Sequence, residues 1–436
     1  MVKKILLTGQ CTLHWGRLEF GNIGNYYVTE PLFRELGRVF PDAEIRTTFQ
    51  MTDEFCEREK VTRLPVELYY GWTGNDLTDA KKDLEVAEAY LKTGDPEELT
   101  PYVLEVLACD LFVDFSGDIW GDNADLVGPG RFEVGLLKNK VAQLLGKKNA
   151  MIAGSPGPFN TTHLQPLAME VFANFDLVTN RESISTSLLA NEGFNVSKVR
   201  SCACPAFLFE PSGKGRVDEI CSNDKIFNED ANKIGFVLCG WNMLEGPYTK
   251  WPRDDSDFNV FIELAERVIQ TTDAEIYFMS HSNGFELPPN FRLIHGRDYP
   301  FAQRMYELMV SRGYSNRVHL VSGLYSPADI KGILGKLDLL ISGRVHAAVG
   351  ALAQHVPTLI IDYGHEPKAH KLRGFAQVAG VLDYLCDPAD QSKLHAKFTE
   401  LWERRVNVRN QLEKKIPQVQ EESRKNFNQL ALLYES

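Results

Sequence analysis

The stretch Leu337-Asp-Leu-Leu-Ile-Ser342-Gly-Arg344-Val-His346-Ala-Ala-Val-Gly-Ala-Leu-Ala353 decides how this chain folds. An apolar run too short for a helix turns at Ser-Gly into a run of small residues suited to one. A buried strand is therefore expected to feed directly into a helix. Strands buried on both faces belong to parallel sheets covered by helices. The junction puts Arg344 and His346 at the carboxyl end of the strand, beside the amino end of the helix. Backbone N–H groups and a guanidinium fork there suit a phosphate or a carboxylate. The plainer reading of the same residues is an arginine paired with a nearby carboxylate and a histidine packed as a cap.

The neighbouring segments repeat this grammar. Pro357–Asp362 is the next expected strand, and it leads into Tyr363-Gly-His365-Glu-Pro-Lys368-Ala-His370-Lys371 at the same edge. Lys368 is a candidate substrate cation there, against the alternative of a solvent-exposed side chain. The His365/His370 spacing and Pro367 do not fit a zinc-protease helix, so no metal site is expected. Upstream come expected strands at Lys233–Cys239, Glu275–Met279 and Arg317–Val321. Helices are expected at Asp257–Thr271 and Ser326–Leu334, the latter with Ser326 as N-cap and Asp329 at the capping-box position.

The first half reads alike. Strands are expected at Lys4–Thr8, Glu44–Phe49, Asp110–Phe115, Asn149–Ala153 and from Leu177. Helices are expected at Tyr27–Val39, within the charged stretch 75–108, near 131–146 and at Ser183–Asn191. Residues 391–434 form a long charged amphipathic helix or a pair of helices. Strands alternating with helices predict an α/β protein of two Rossmann-like, doubly wound domains facing each other across a cleft. The expected boundaries are 1–212 for the first domain, 213–232 for a linker, 233–388 for the second domain and 389–436 for a terminal helical segment.

Composition agrees with two ordinary cores. At 436 residues the chain is too long for one. Hydrophobic residues make up 44% and charged residues 24%, which is globular rather than disordered composition. A net charge of −12 argues against general binding to nucleic-acid phosphates. No apolar run reaches membrane-spanning length, and Met1–Gly9 reads as a buried strand rather than a secretory signal. The eight cysteines are scattered through apolar runs, as in a reduced, cytoplasmic protein. Cys202 and Cys204 read as alternate residues of an extended segment rather than half of a zinc site.

Four loops in the first half end strands with small or charged residues. They are Phe20-Gly-Asn22-Ile-Gly24-Asn25, Phe115-Ser-Gly-Asp118-Ile-Trp-Gly-Asp122, Ala153-Gly-Ser155-Pro-Gly157-Pro-Phe159, and Asp176-Leu-Val-Thr-Asn-Arg181-Glu-Ser183. Any one of them is an ordinary turn. Four at one edge of a sheet predict a substrate cleft, with Asn22, Gly24, Asn25, Asp122, Ser155 and Arg181 as binding residues.

Together these segments resemble the polysaccharide pyruvyl transferase family, from about residue 8 to 380. The most specific part is Asp338-Leu-Leu-Ile-Ser-Gly-Arg-Val-His346, followed by the Pro357 strand and Tyr363 with a downstream lysine. Asp176 to Ser183 is similar to the family's Asp…Arg-Glu-x-x-Ser segment, Gly154–Pro158 to its Gly-x-x-x-Gly-Pro loop, and Asn22-Ile-Gly24 to the start of its Asn-x-Gly-Asp motif. Asn25 replaces an Asp, Ser116-Gly-Asp118 a triple glycine, and Cys204-Pro205 an Asp-Pro pair. The resemblance implies a GT-B-like transferase that moves a pyruvyl group from phosphoenolpyruvate to two hydroxyls of a saccharide, free or lipid-linked, with no other cofactor. Arg181, Arg344 and Lys368 would then hold the donor and His346 would act as acid or base, while Asp118 or Asp122 is the candidate acceptor-side base from its loop position. A nucleotide-sugar glycosyltransferase or epimerase of the same fold is the second reading, with Asp362 or Glu366 gripping a ribose. A non-catalytic carbohydrate-binding protein is the third.

Overall fold

The computed structural model describes residues 2–161, 163–246, 249–364 and 369–435. They form two compact units. One comprises Met1–Leu18, Glu30–Pro205 and Glu422–Ser436; the other comprises Glu19–Thr29 and Ala206–Glu421.

The first unit is built on a parallel sheet of β1 (Lys4–Thr8), β2 (Glu44–Thr47), β3 (Val61–Arg63), β4 (Leu111–Asp114), β5 (Lys148–Gly154), β6 (Leu177–Asn180) and β7 (Val199–Ser201), in the order β3-β2-β1-β4-β5-β6-β7. Every residue of β4 and β6 is buried, as the unbroken apolar runs require. Trp120, Phe132, Phe172, Phe175 and Phe194 form one of its cores, together with Met151 and Val178 from the strands.

The second unit carries β8 (Lys233–Val237), β9 (Glu275–Met279), an antiparallel pair β10 (Asn283–Phe285) and β11 (Leu293–His295), then β12 (Val318–Leu320), β13 (Leu339–Ser342), β14 (Thr358–Ile361) and β15 (Leu385–Cys386). Its six-stranded parallel sheet runs β12-β9-β8-β13-β14-β15. Leu339, Leu340 and Ile341 of β13 are wholly buried, each contributing about 1.5–3 kcal/mol of apolar burial.

Counting only the parallel strands of each unit, the order is 3-2-1-4-5-6-7 in the first sheet and 3-2-1-4-5-6 in the second. Strand order reverses between the first and fourth strands, and ligands of such sheets bind outside the carboxyl ends of those two. The reversal lies between β1 and β4 in the first unit and between β8 and β13 in the second.

Several boundaries differ from expectation for local reasons. The first helix begins at Ile23 rather than Tyr27, because the Asn22 side chain accepts the Gly24 N–H and turns the chain earlier. The stretch 75–108 splits into helices Asp76–Thr93 and Pro101–Ala108; left-handed Gly94 stops one and Thr100 caps the other. Residues 213–232, expected as a linker, contain the helix Lys214–Asn223. Gly332 leaves room there for Val217: a Cβ at Gly332 would sit 2.3 Å from a Val217 methyl.

At the Ser326 N-cap, the hydroxyl accepts the Asp329 N–H at 3.2 Å. The Asp329 carboxylate binds Arg216 and Ser212. Strands β3, β7 and β15 have three residues or fewer and give no periodic signal. The terminal segment is one helix, Gln391–Glu435, with Pro417 inside it. Asn22, Gly24 and Asn25, expected in the first domain, belong to the second unit. Among the described residues no helix is long and apolar enough to cross a membrane, and all eight cysteines are free thiols.

Candidate functional site

In the second unit, β13 ends at Ser342, whose hydroxyl accepts the Arg344 N–H at 3.1 Å. Arg344 then occupies the N-cap of helix Val345–Leu352. Its guanidinium meets the Asp298 carboxylate edge to edge, Nε to Oδ2 at 2.8 Å and Nη2 to Oδ1. Asp298 is fully buried and Arg344 is 9% exposed. The Asp298 N–H is in turn held by the Ser282 hydroxyl at 3.0 Å. The ion-paired reading of Arg344 is therefore realised, and the pair fixes one edge of the fork in place.

The loop after β8 closes on the same junction. Asn242 donates to the Gly343 carbonyl at 3.1 Å and accepts the Cys239 N–H at 2.8 Å. Gly343 leaves room for this contact: a Cβ would fall 1.7 Å from the Asn242 amide nitrogen and displace that side chain. These are the loops that flank the strand-order reversal.

His346, half-buried at the second position of the helix, packs against the start of helix Ile23–Val39. A Cβ on Gly24 would lie 2.6 Å from the His346 Cβ and 2.7 Å from its Nδ1. Asn22 and Asn25 form the turn that presents Gly24, the Asn25 N–H reaching the Asn22 carbonyl at 2.9 Å. We expect Gly24→Ala to displace the imidazole and lower turnover by about a hundredfold, the scale set by misplacing a catalytic group by an ångström. Steady-state kinetics beside an unchanged circular-dichroism spectrum would check this; near-normal turnover would mean that His346 orientation is unimportant.

Also near this junction is His281, just beyond β9. It is 1% exposed, and neither ring nitrogen has a hydrogen-bond partner among the described residues. Burial, with smaller contributions from Arg344 and His346, holds its pKa well below the ordinary value, so the ring is neutral. Asp362, at the end of β14, accepts the Gly364 N–H at 3.0 Å. His365, Glu366 and Lys368 lie outside the described residues.

In the first unit, the loops after β4, β5 and β6 converge. Arg181 is 3% exposed; its Nε donates to the Ser155 hydroxyl at 2.9 Å, and Nη2 stands 3.9 Å from Asp118 Oδ1. The loop after β1 joins them: a Cβ on Gly117 would sit 3.6 Å from Cys11 Sγ. Gly9, at φ +134°, allows the β1 loop to pass Phe115, whose carbonyl would be 2.6 Å from a Cβ. Asp122 has a different use, accepting the Asn160 and Thr161 backbone N–H groups and tying two loops together.

Of the residues expected from sequence, Arg344, His346, Asn22, Gly24 and Asn25 fall in the second unit, and Arg181, Asp118, Ser155 and Asp122 in the first. Asp298, Asn242 and His281 were not foreseen. The strand-order rule points to the loop after β8, and hence to Asn242, but nothing local marks Asp298 or His281.

A family model described as polysaccharide pyruvyl transferase matches residues 22–365. Amylovoran biosynthesis protein AmsJ of Erwinia amylovora is 20% identical over 307 residues, which cover 69% of this chain and 68% of that protein. Among solved structures, a glycosyltransferase from Rickettsia africae superposes with a TM-score of 0.57 at 11% identity, over 99% of this chain and 98% of that one. A UDP-GlcNAc 2-epimerase from Methanocaldococcus jannaschii gives 0.53 at 13% identity, covering 92% of both chains. At such identities the likeness establishes the two-Rossmann-domain, GT-B-like fold and nothing about ligands.

Proposed function

The chain belongs to the polysaccharide pyruvyl transferase family, and from that membership we propose that this transferase moves a pyruvyl group from phosphoenolpyruvate onto two hydroxyls of a saccharide. The observation that carries the reading is the buried Asp298 carboxylate holding the Arg344 fork at a strand–helix junction, with His346 two residues further on.

In the proposed step, protonation of the enol C3 makes C2 electrophilic, and one sugar hydroxyl adds there. Phosphate leaves, and the second hydroxyl closes the ketal. One hydroxyl proton balances the proton given to C3, and the other leaves with the phosphate. Arg344 neutralises the donor's phosphate or carboxylate, where a planar fork outperforms a point charge. His346 gives the proton to C3 or takes one from the attacking hydroxyl. Arg181 enters as a second donor cation through the family resemblance alone, and Ser155 and Asp118 are acceptor-side candidates by their loop positions, with Asp118 as base. Lys368 enters as a further donor cation through the family resemblance alone.

The step calls for no metal or organic cofactor. The acceptor is a saccharide, free or lipid-linked, and the eight free thiols suit a reducing, cytoplasmic setting.

Thermal-shift titration tests the donor. Phosphoenolpyruvate is expected to raise the melting temperature while UDP- and GDP-sugars leave it unchanged; a ligand at a hundred times its Kd adds about 2.7 kcal/mol. A shift with a nucleotide sugar and none with phosphoenolpyruvate would reassign the protein to nucleotide-sugar chemistry. No shift with either would favour a non-catalytic carbohydrate-binding role.

A further inference from the structure

Two helices cross beside Arg344, and their residues interlock. Gly24 and Tyr27 lie three apart on one face of helix Ile23–Val39, and His346 and Gly350 lie four apart on one face of helix Val345–Leu352. Gly24 meets His346, while a Cβ on Gly350 would fall 2.8 Å from the Tyr27 ring. Small residues at both places bring the backbones close and drive the Tyr27 ring inward. Phe209 stacks on that ring at 4.8 Å, and the His281 ring meets it edge-on at 5.2 Å.

The result is unusual for a protein interior. The Tyr27 hydroxyl and both His281 ring nitrogens are buried, and none has a hydrogen-bond partner among the described residues. Buried hydroxyl and imidazole groups left in this state are costly, and nearly all such groups in folded proteins are satisfied. Three orphaned atoms in one place, next to a cation and a second histidine, mark a position that a ligand's polar atoms complete. A neutral imidazole brings one N–H donor and one acceptor, and a phenol brings one O–H donor. Beside Arg344 these donors match the oxygens of a phosphate or carboxylate.

We propose that Tyr27 and His281 are binding residues of the Arg344 site, each donating a hydrogen bond to an oxygen of the small phosphate- or carboxylate-bearing anion held there. The assignment rests on the donor reading above for the identity of that anion, but not for its charge. Tyr27 and His281 are both uncharged donors, so neither adds buried charge of its own beside the Arg344–Asp298 pair.

Tyr27→Phe separates this role from a structural one. Removing a buried hydroxyl with no partner leaves stability unchanged or raised, whereas removing a ligand contact weakens binding. The full-length protein, labelled with 15N at its histidine rings, would be titrated with phosphoenolpyruvate, inorganic phosphate and UDP. The His281 signals would be assigned by their absence from His281→Gln. We expect saturating phosphoenolpyruvate to move the His281 ring signals. We also expect Tyr27→Phe to weaken phosphoenolpyruvate about tenfold, the scale of one hydrogen bond to a charged group, with an undiminished melting temperature.

Unmoved His281 signals in the saturated wild type, with unchanged affinity in Tyr27→Phe, would overturn the proposal and leave these atoms to buried water. That outcome, with phosphoenolpyruvate still bound in an Arg344-dependent way, leaves the donor reading standing. Conversely, if only phosphate or UDP binds and moves the His281 signals, the site assignment holds and the donor reading fails.

Discussion

Arg344→Ala is expected to cost about 3–5 kcal/mol of stability, the penalty for stranding one member of a buried ion pair, and to remove measurable phosphate release from phosphoenolpyruvate. The physical reason lies in Asp298. Its carboxylate is fully buried and receives two hydrogen bonds from the Arg344 guanidinium. Without the guanidinium it must be buried charged and unpaired, or take up a proton. Loss of activity alone would therefore be ambiguous, since a destabilised protein is also less active.

The double variant Arg344→Met/Asp298→Leu resolves the ambiguity. Replacing both partners by apolar residues of similar volume is often neutral or stabilising, so its urea midpoint should return towards the wild-type value while phosphate release stays absent. If the double variant recovered turnover as well, Arg344 would be a structural residue and the donor-binding role would be wrong. His346→Ala complements this experiment. It leaves the Arg344–Asp298 pair in place, and it should abolish turnover with little change in the urea midpoint.

A second large effect is expected at Asp114, the last residue of β4. Burial lifts its carboxyl from the ordinary 3.8 to about 7, against the opposing hydrogen bond from the Ser116 hydroxyl at 2.6 Å. The sign follows from proton counting. Between about pH 4 and pH 7 the folded protein keeps a proton that the unfolded chain has lost. Stability linked to this group is therefore full below about pH 4 and falls as pH rises to about 7.

Asp114→Asn keeps the shape and removes the titration. The variant should show no such slope and should gain on the order of 4 kcal/mol above pH 7. Urea midpoints of both proteins from pH 4 to 8 would decide it; parallel profiles would mean that Asp114 is ionised in the folded state. The consequence extends to the first unit's strand-order reversal. Asp114 holds Ser116, and Ser116 accepts the Gln10 N–H at 2.9 Å, so one proton bears on the loops after both β1 and β4.

What could be read without coordinates was what short-range chemistry dictates. The run Leu339–Ser342 is buried from end to end because it is apolar from end to end, and the Gly343 turn into small residues starts a helix wherever the strand leads. The same local logic recovered the turn at Asn22, the loop carrying Ser155 and the arginine after β6. It made two sheets legible, since alternating buried strands and helices admit few other arrangements.

Arg344 shows where that logic stops. The sequence alone determined that a cation would stand at the carboxyl end of a buried strand beside a helix start. Only the tertiary structure decided that Asp298, 46 residues away on another loop, would orient it. It likewise decided that Gly24, from the far end of the chain, would pack on His346, and that Tyr27 and His281 would be buried with no hydrogen-bond partner among the described residues. Strand and helix periodicity is set by neighbours in the chain. A buried charge or histidine takes its role from whatever packing brings to it, and that information is absent from any local window.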